Sequence, residues 1–151
     1  MAVVNACLLP EELYYDVARG VWVRLEADGT AITGFTDPFQ TRAGKLLVVQ
    51  PRPTAAGRVL ARGRAAATVE SAKWVGGFPM VLSAQVVAFN KLVIQNPSLV
   101  NKDPYGEGWI ARVQPVALEQ ELGELLTGEA AVQAYGDKLN RDKVHCIRCA
   151  D

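Results

Sequence analysis

A mainly β fold, a small sandwich or flattened barrel carrying helices at its C-terminal end, is what this sequence predicts, and three observations predict it. Short runs rich in β-branched and aromatic residues recur between Val21 and Gln114. Glycines, prolines and an Asn-Pro pair interrupt those runs every few residues. From Leu118 the apolar residues change to helical spacing. With 151 residues, 50% of them apolar, the chain can bury one ordinary core and is short for two domains.

Taken in order, residues 1–12 read as an N-terminal segment. The run from Met1 to Pro10 is mildly apolar but has no cationic leader and is too short for a signal core, and no later window approaches a membrane span. The expectation is a cytoplasmic protein with no membrane contact. Residues 21–25 alternate, residues 27–30 offer a turn through Asp28-Gly29, and residues 31–35 follow, which reads as a hairpin; Trp22 and Phe35 are expected to pack in its core. Thr36-Asp37-Pro38 places a capping side chain ahead of a proline, so a short helix should open there and stop at Gly44.

Residues 45–50 form a β-rich run closed by Pro51 and Pro53, and Gly57 and Gly63 bracket another short segment. Residues 65–70 and the stretch from Trp74 are two strands flanking a turn centred near Lys73. Residues 83–90 and 109–114 are further strand candidates, and Asn96-Pro97 opens one helical turn through Val100. Leu118, Leu122, Leu125 and Leu126 lie at helical spacing, Thr127-Gly128 breaks the run, and residues 129–139 continue as a second helix. The organisation expected is therefore a body over 13–116, helices over 117–140 packing on it, and a polar, cysteine-bearing tail over 141–151.

Sixteen basic residues balance sixteen acidic ones and none cluster, which leaves no electrostatic footprint for nucleic acid or anionic lipid. Cys7, Cys146 and Cys149 are an odd set at the chain ends, no framework for a secreted scaffold, so a reducing compartment fits. Two thiols in Cys146-x-x-Cys149 do not close a tetrahedral zinc site, and no metal site is expected. The cysteines are either incidental to the tail or candidate redox thiols. The lone histidine, His145, lies beside them, so the body offers no general base and no catalytic residue.

The motif that carries chemistry is Glu70-Ser-Ala-Lys73. It resembles the Glu-Ser-x-Lys lipoylation signature of the glycine cleavage H-protein family. Asn101-Lys-Asp-Pro-Tyr-Gly-Glu-Gly-Trp109 resembles that family's second stretch, and the similarity runs from about Leu13 to Ala134. The resemblance implies a biotinyl/lipoyl-carrier barrel-sandwich hybrid with Lys73 at a hairpin tip, acylated by lipoate. It implies no enzyme activity of its own, only a covalent carrier in a multi-enzyme system. A carrier lysine must enter a ligase and then several partner sites, so it needs a protruding tip on a rigid sheet. By the same resemblance Glu70 is read by the lipoyl-attaching enzyme; as bare sequence it is equally a strand-end carboxylate. The two glycines and proline of residues 103–108 specify an unusual backbone path that Tyr105 and Trp109 pack.

The chain departs from that family at the hairpin. Trp74 follows the lysine in place of a small residue, and Phe78-Pro-Met-Val-Leu-Ser-Ala84 stands where the family opens its next strand with Ser-Pro-Val-Ser-Gly. Such departures resemble the lipoate-binding paralogues that serve a heterodisulfide-reductase-like complex in sulfur oxidation. In that setting the arm shuttles sulfur-containing intermediates or reducing equivalents. The alternatives are a glycine cleavage carrier of the aminomethyl group, with the glycine cleavage enzymes and dihydrolipoyl dehydrogenase as partners, or an unmodified scaffold or lipoate-relay protein.

Overall fold

The computed structural model describes residues 1–53, 55 and 57–150. Asp151, the end of the expected tail, lies outside the described residues. Two sheets face each other across the main core. Strands β1 (Ala2–Val4) and β2 (Cys7–Leu9) form a separate hairpin, and β3 (Tyr14–Asp16), β4 (Val21–Leu25) and β5 (Ala31–Phe35) follow as an antiparallel meander. Helix α1 (Asp37–Ala43) leads to β6 (Leu46–Pro51), β7 (Val59–Leu60), β8 (Ala65–Ser71), β9 (Val75–Pro79) and β10 (Ala84–Phe89). After the short helices α2 (Lys91–Gln95) and α3 (Leu99–Lys102) come β11 (Ala111–Pro115), α4 (Leu118–Glu121), a 3-10 turn (Leu122–Glu124), β12 (Leu126–Thr127) and α5 (Gly128–Asp142). The larger sheet has the order β12-β3-β4-β5-β11-β10-β7, and the smaller has the order β6-β8-β9. This is the flattened, mainly β sandwich expected.

Alternation along the strands explains the two cores. Val21 and Val23 of β4 turn toward the smaller sheet and join Phe35, Val49, Val69, Phe78 and Val113 in the main core. Trp22 points the opposite way, into a second cluster with Leu9, Tyr15, Ile32, Tyr135 and Leu139. That second cluster exists because α5 lies across the outer face of β3 and β4. Its buried residues, Ala131, Tyr135 and Leu139, recur every four positions and give the apolar stripe a docked helix needs. Trp22 is fully buried as expected, and its indole N–H donates to the Phe35 and Pro104 carbonyls at 3.0 Å each.

Helix α1 begins and ends where its sequence says. The Thr36 hydroxyl accepts from Phe39 N–H at 3.3 Å, Pro38 occupies the first turn, and Gly44 with φ 80° closes the last turn through Gln40. Helix α2 was not foreseen; the Asn90 side chain caps it through Leu92 N–H at 3.1 Å. The turn expected from Asn96-Pro97 forms two residues later, as α3.

The structure adds three features to what was expected. Residues 1–12, read only as an N-terminal segment, form a hairpin: β1 and β2 pair around Asn5 and Ala6, both with positive φ (49° and 62°). That is the geometry of a two-residue hairpin loop achieved without glycine, which is why the sequence hid it. The C-terminal region is not two comparable helices. Only one turn of α-helix and a 3-10 turn cover 118–124, Leu126–Thr127 adds an edge strand to β3, and Gly128 starts α5 instead of separating two helices. Finally, α5 runs to Asp142 and ends at Lys143, whose left-handed φ of 55° lets Val144 N–H reach the Leu139 carbonyl at 2.9 Å.

Beyond Lys143 the tail is fastened, not free. Cys146 bonds to Cys7 in a disulfide, and Cys146 N–H donates to the Asn5 carbonyl at 2.9 Å. Arg148 reaches the fully buried Asp37 carboxylate at 2.6 Å, and Gln40 holds the Ile147 carbonyl and Cys149 N–H at 2.6 and 3.3 Å. The tail thus lies along α1.

Candidate functional site

Strands β8 and β9 meet in a tight tip. Glu70 opposes Val75 in register, and Ser71 N–H donates to the Trp74 carbonyl at 2.8 Å, so Ala72 and Lys73 are the two loop residues, both exposed. Two-residue hairpin loops ordinarily use positive φ, but neither Ala72 nor Lys73 has it. Ser71 supplies a different tether. Its hydroxyl donates to the Ala43 carbonyl at 2.6 Å and accepts from Lys73 N–H at 3.4 Å, which fixes the tip to the end of α1. Sequence reading had Ser71 only as a letter of the motif.

Lys73 is placed as expected, at the tip. Its stem runs over Gly44: a Cβ added there would lie 3.2 Å from the lysine Cε. Glu70 sits on the outward face of β8, partly exposed, and makes no ion pair among the described residues. Its carboxylate is accessible to a partner.

Trp74 is built into the wall beside the lysine. Its ring meets Phe39 edge-on at 5.2 Å and Phe35 at 6.5 Å; Phe35 in turn stacks on Phe39 at 3.8 Å and meets Phe78 edge-on at 5.0 Å. Four aromatic rings therefore run from the tip into the core, and this ladder joins residues far apart in sequence that no local pattern connects. Gly76 is the price of the indole's seat, because a Cβ there would overlap the Trp74 ring. Gly76→Ala is expected to push the indole out of the wall and to cost about 1–3 kcal/mol, the usual range for overpacking. A changed Trp74 indole N–H signal with a lowered denaturant midpoint would bear this out; an unchanged signal would refute it.

The tip, α1, residues 17–20 and α5 enclose a cleft of about 430 Å³ with Lys73 and Trp74 on its edge. Phe39, Pro38 and Tyr135 supply apolar wall, and the charged side chains lining it are Arg19, Arg42, Lys138 and Lys73 itself. Burial pushes the phenols of Tyr15, Tyr105 and Tyr135 upward from their ordinary value, so they remain neutral hydrogen-bond donors. Tyr135 stands 3.4 Å from the Thr36 hydroxyl, and Tyr105 donates to the Leu8 carbonyl at 2.6 Å while accepting from Asp37 N–H at 2.9 Å.

The second motif lies away from the tip and acts in packing. A Cβ on Gly108 would come within 2.6 Å of the Asp103 and Leu99 carbonyls, and Asp103 holds Glu107 N–H at 2.9 Å. The path so fixed presents Pro104 to Trp22 and Tyr105 to the N-terminal hairpin. Asn101, also of this stretch, is fully buried and binds Leu46 N–H at 2.9 Å and the Gly44 carbonyl at 2.8 Å, bracing the backbone beneath Lys73.

Of the three candidate redox thiols, Cys7 and Cys146, 139 residues apart, form a disulfide, and Cys149 is free, its Sγ 3.8 Å from the Thr41 carbonyl. None of the three lines the cleft. The mildly apolar N-terminal run and the polar tail were read as separate ends, and their meeting under α5 is a tertiary contact without a local signal. Among the described residues no group of three or more His, Cys, Asp or Glu is placed to hold a metal ion, and no helix is long and apolar enough to cross a membrane.

Comparison with known proteins bears on the same residues. The family model for the glycine cleavage H-protein matches residues 13–138. The chain is 41% identical over 142 residues to glycine cleavage system H protein 2 of Aquifex aeolicus, covering 94% of this chain and 87% of that one. It is 41% identical over 150 residues to the probable glycine cleavage system H protein 2 of Sulfolobus acidocaldarius, covering 98% and 99%. Among solved structures, a glycine cleavage system H protein from Mycobacterium marinum superposes with a TM-score of 0.71 at 30% identity, over 85% of this chain and 99% of that one.

Proposed function

This chain belongs to the glycine cleavage H-protein family, and from that premise we propose that Lys73 is the residue on which it carries lipoate. Members of this family are carriers and not enzymes, and their lipoate is bound covalently to a lysine. The observation that carries the assignment is Lys73 as an exposed residue of a two-residue tip, hydrogen-bonded at its base through Ser71 and bordered by a cleft. The surroundings suit the group: the lysine side chain is free to be acylated, and the adjoining cleft has apolar walls at a size typical of small-ligand sites.

The chain's own part in the chemistry is presentation. The Lys73 ammonium gives up a proton before the amine can take an acyl group, and the amide that results is neutral. Glu70, two register steps from the tip on the outward face, is the acidic group an attaching enzyme would read. Once attached, lipoate supplies a dithiolane for thiol–disulfide exchange or for carriage of a small unit. Tethering gives each partner a high local concentration of that group.

Two cargoes remain to be separated. The relatives' names support the aminomethyl group of glycine cleavage, handled with the glycine cleavage enzymes and dihydrolipoyl dehydrogenase. One observation favours sulfur carriage for a heterodisulfide-reductase-like complex: Trp74 is wedged between the arm's root and Phe39, a remodelling of the surface a docking partner meets. Peptide mass measurement on protein from its native cell tests the carrier role, with a lipoyl adduct expected on Lys73. An unmodified Lys73 under every growth condition would leave the scaffold reading. Supplying the lipoylated protein to glycine decarboxylase with glycine then divides the cargoes, because efficient aminomethyl loading would defeat the sulfur reading.

A further inference from the structure

We propose that the cleft beside Lys73 seats a lipoyl arm whose terminal group is anionic and disfavours one ending in an ammonium. The proposal rests on Lys73 as the attachment residue and adds to it the charge of the cargo.

Apart from Lys73, the charged side chains lining the cleft are Arg19, Arg42 and Lys138; all are cationic, and no carboxylate lines it among the described residues. Their counter-ions stand behind them and are shared. Asp142 serves both Arg42, at 3.1 Å, and Lys138, at 3.5 Å. Asp16 serves both Arg19, at 2.8 Å, and Arg62, at 3.8 Å. Arg62 does not line the cleft, so the cleft's own imbalance lies at Arg42 and Lys138, which divide one carboxylate and leave one positive charge over. Acylation of Lys73 removes its own charge, so the excess belongs to the cleft and not to the arm.

The position of that excess matters as much as its sign. Arg42 on α1 and Lys138 on α5 flank the mouth, with side chains 56% and 32% exposed, so either can turn from Asp142 to a ligand at little cost. Phe39, Trp74 and Tyr135 form low-dielectric wall behind them, which focuses the field on whatever enters. A primary ammonium, the form an aminomethyl group takes in water, meets like charge there. A sulfur-borne anion meets two cations that have only one carboxylate between them.

The test uses the full chain lipoylated on Lys73 by a lipoate ligase, in a Cys149→Ser background so that the arm holds the free thiols. After reduction by dihydrolipoyl dehydrogenase with NADH, the arm sulfurs are capped with carbon-13-labelled iodoacetate, iodoacetamide or 2-bromoethylamine, which leaves an acid, a neutral amide or an ammonium. Peptide mass confirms the lipoyl group and its caps on Lys73; no lipoyl group there would overturn the attachment assignment and this inference with it. The readout is the relaxation of the labelled cap together with the Arg19 and Arg42 Nε–H signals. At low salt the acid cap is expected to be seated about fivefold more than the amide and the ammonium cap about fivefold less, with the differences collapsing at 1 M salt, where the screening length is about 3 Å. Arg42→Gln with Lys138→Gln, which leaves Asp142 unpaired, is expected to abolish the preference. Equal seating of the three caps on correctly lipoylated protein, or tighter seating of the ammonium, would overturn the proposal while leaving Lys73 as the attachment residue.

Discussion

Lys73→Arg is expected to abolish lipoyl attachment while leaving the fold and its stability unchanged. Arginine keeps the length and the positive charge of the side chain, but its guanidinium stays protonated and cannot act as an acyl acceptor. Nothing else at the tip depends on the lysine amine. The hairpin is held by Ser71 through the Ala43 carbonyl and by backbone pairing of β8 with β9. An exposed substitution that removes no contact of this kind should move the unfolding free energy by no more than about 0.5 kcal/mol. Peptide mass after expression with lipoate and its attaching enzyme reads the first effect, and thermal unfolding reads the second. A lipoyl adduct found on Lys45, Lys91 or another lysine of the variant would defeat the assignment.

The contrast with Ser71 is instructive. Ser71→Ala removes a buried hydroxyl bond to Ala43 but keeps the amine, so it tests how far the tip's position, apart from its chemistry, governs attachment. Lys73 offers the amine and Ser71 fixes where the tip holds it.

How much of this was legible beforehand follows the range of the interactions. Helix α1 could be read because Thr36, Pro38 and Gly44 act on their own neighbours, and the hairpin at Lys73 could be read because β8 and β9 pair across a two-residue loop. The main core was visible as strand alternation. What stayed hidden was made by distant segments. The β1–β2 loop has the dihedral angles of a glycine-rich turn at Asn5 and Ala6, and its partner is the tail, 139 residues away at Cys146. The cleft is likewise assembled from residues 17–20, α1, the tip and α5, none of which announces the others. In Glu70-Ser71-Ala72-Lys73 the proposed attachment residue was legible from sequence, whereas the charges lining the cleft beside it came only with the fold.

The tail offers the second large expected effect, through Asp37. Sequence reading saw this residue only beside a helix start. In the structure its carboxylate is fully buried and serves three parts of the molecule at once: Arg148 of the tail at 2.6 Å, Leu8 N–H of the N-terminal hairpin at 2.8 Å and the Gln40 amide of α1 at 2.9 Å. Asp37→Ala leaves the Leu8 N–H and the guanidinium without their acceptor, and removing one member of a buried ion pair costs about 3–5 kcal/mol. Because Arg148 keeps 37% exposure and can regain water, the low end of that range, about 3 kcal/mol, is the expected value. In a domain of this size that corresponds to a fall of roughly 6–12 °C in melting temperature. Arg148→Ala should cost less, about 1–2 kcal/mol, since the Leu8 and Gln40 donors still satisfy the carboxylate. The double variant should cost less than the two singles together, because both remove the same bond. Hydrogen exchange gives a second reading: amides of residues 147–149 should lose protection in Asp37→Ala while Cys146 N–H, held at Asn5 and by the disulfide, keeps it. Additive single effects, or a loss below about 0.5 kcal/mol for Asp37→Ala, would mean that Asp37 is not the joint between tail, hairpin and α1.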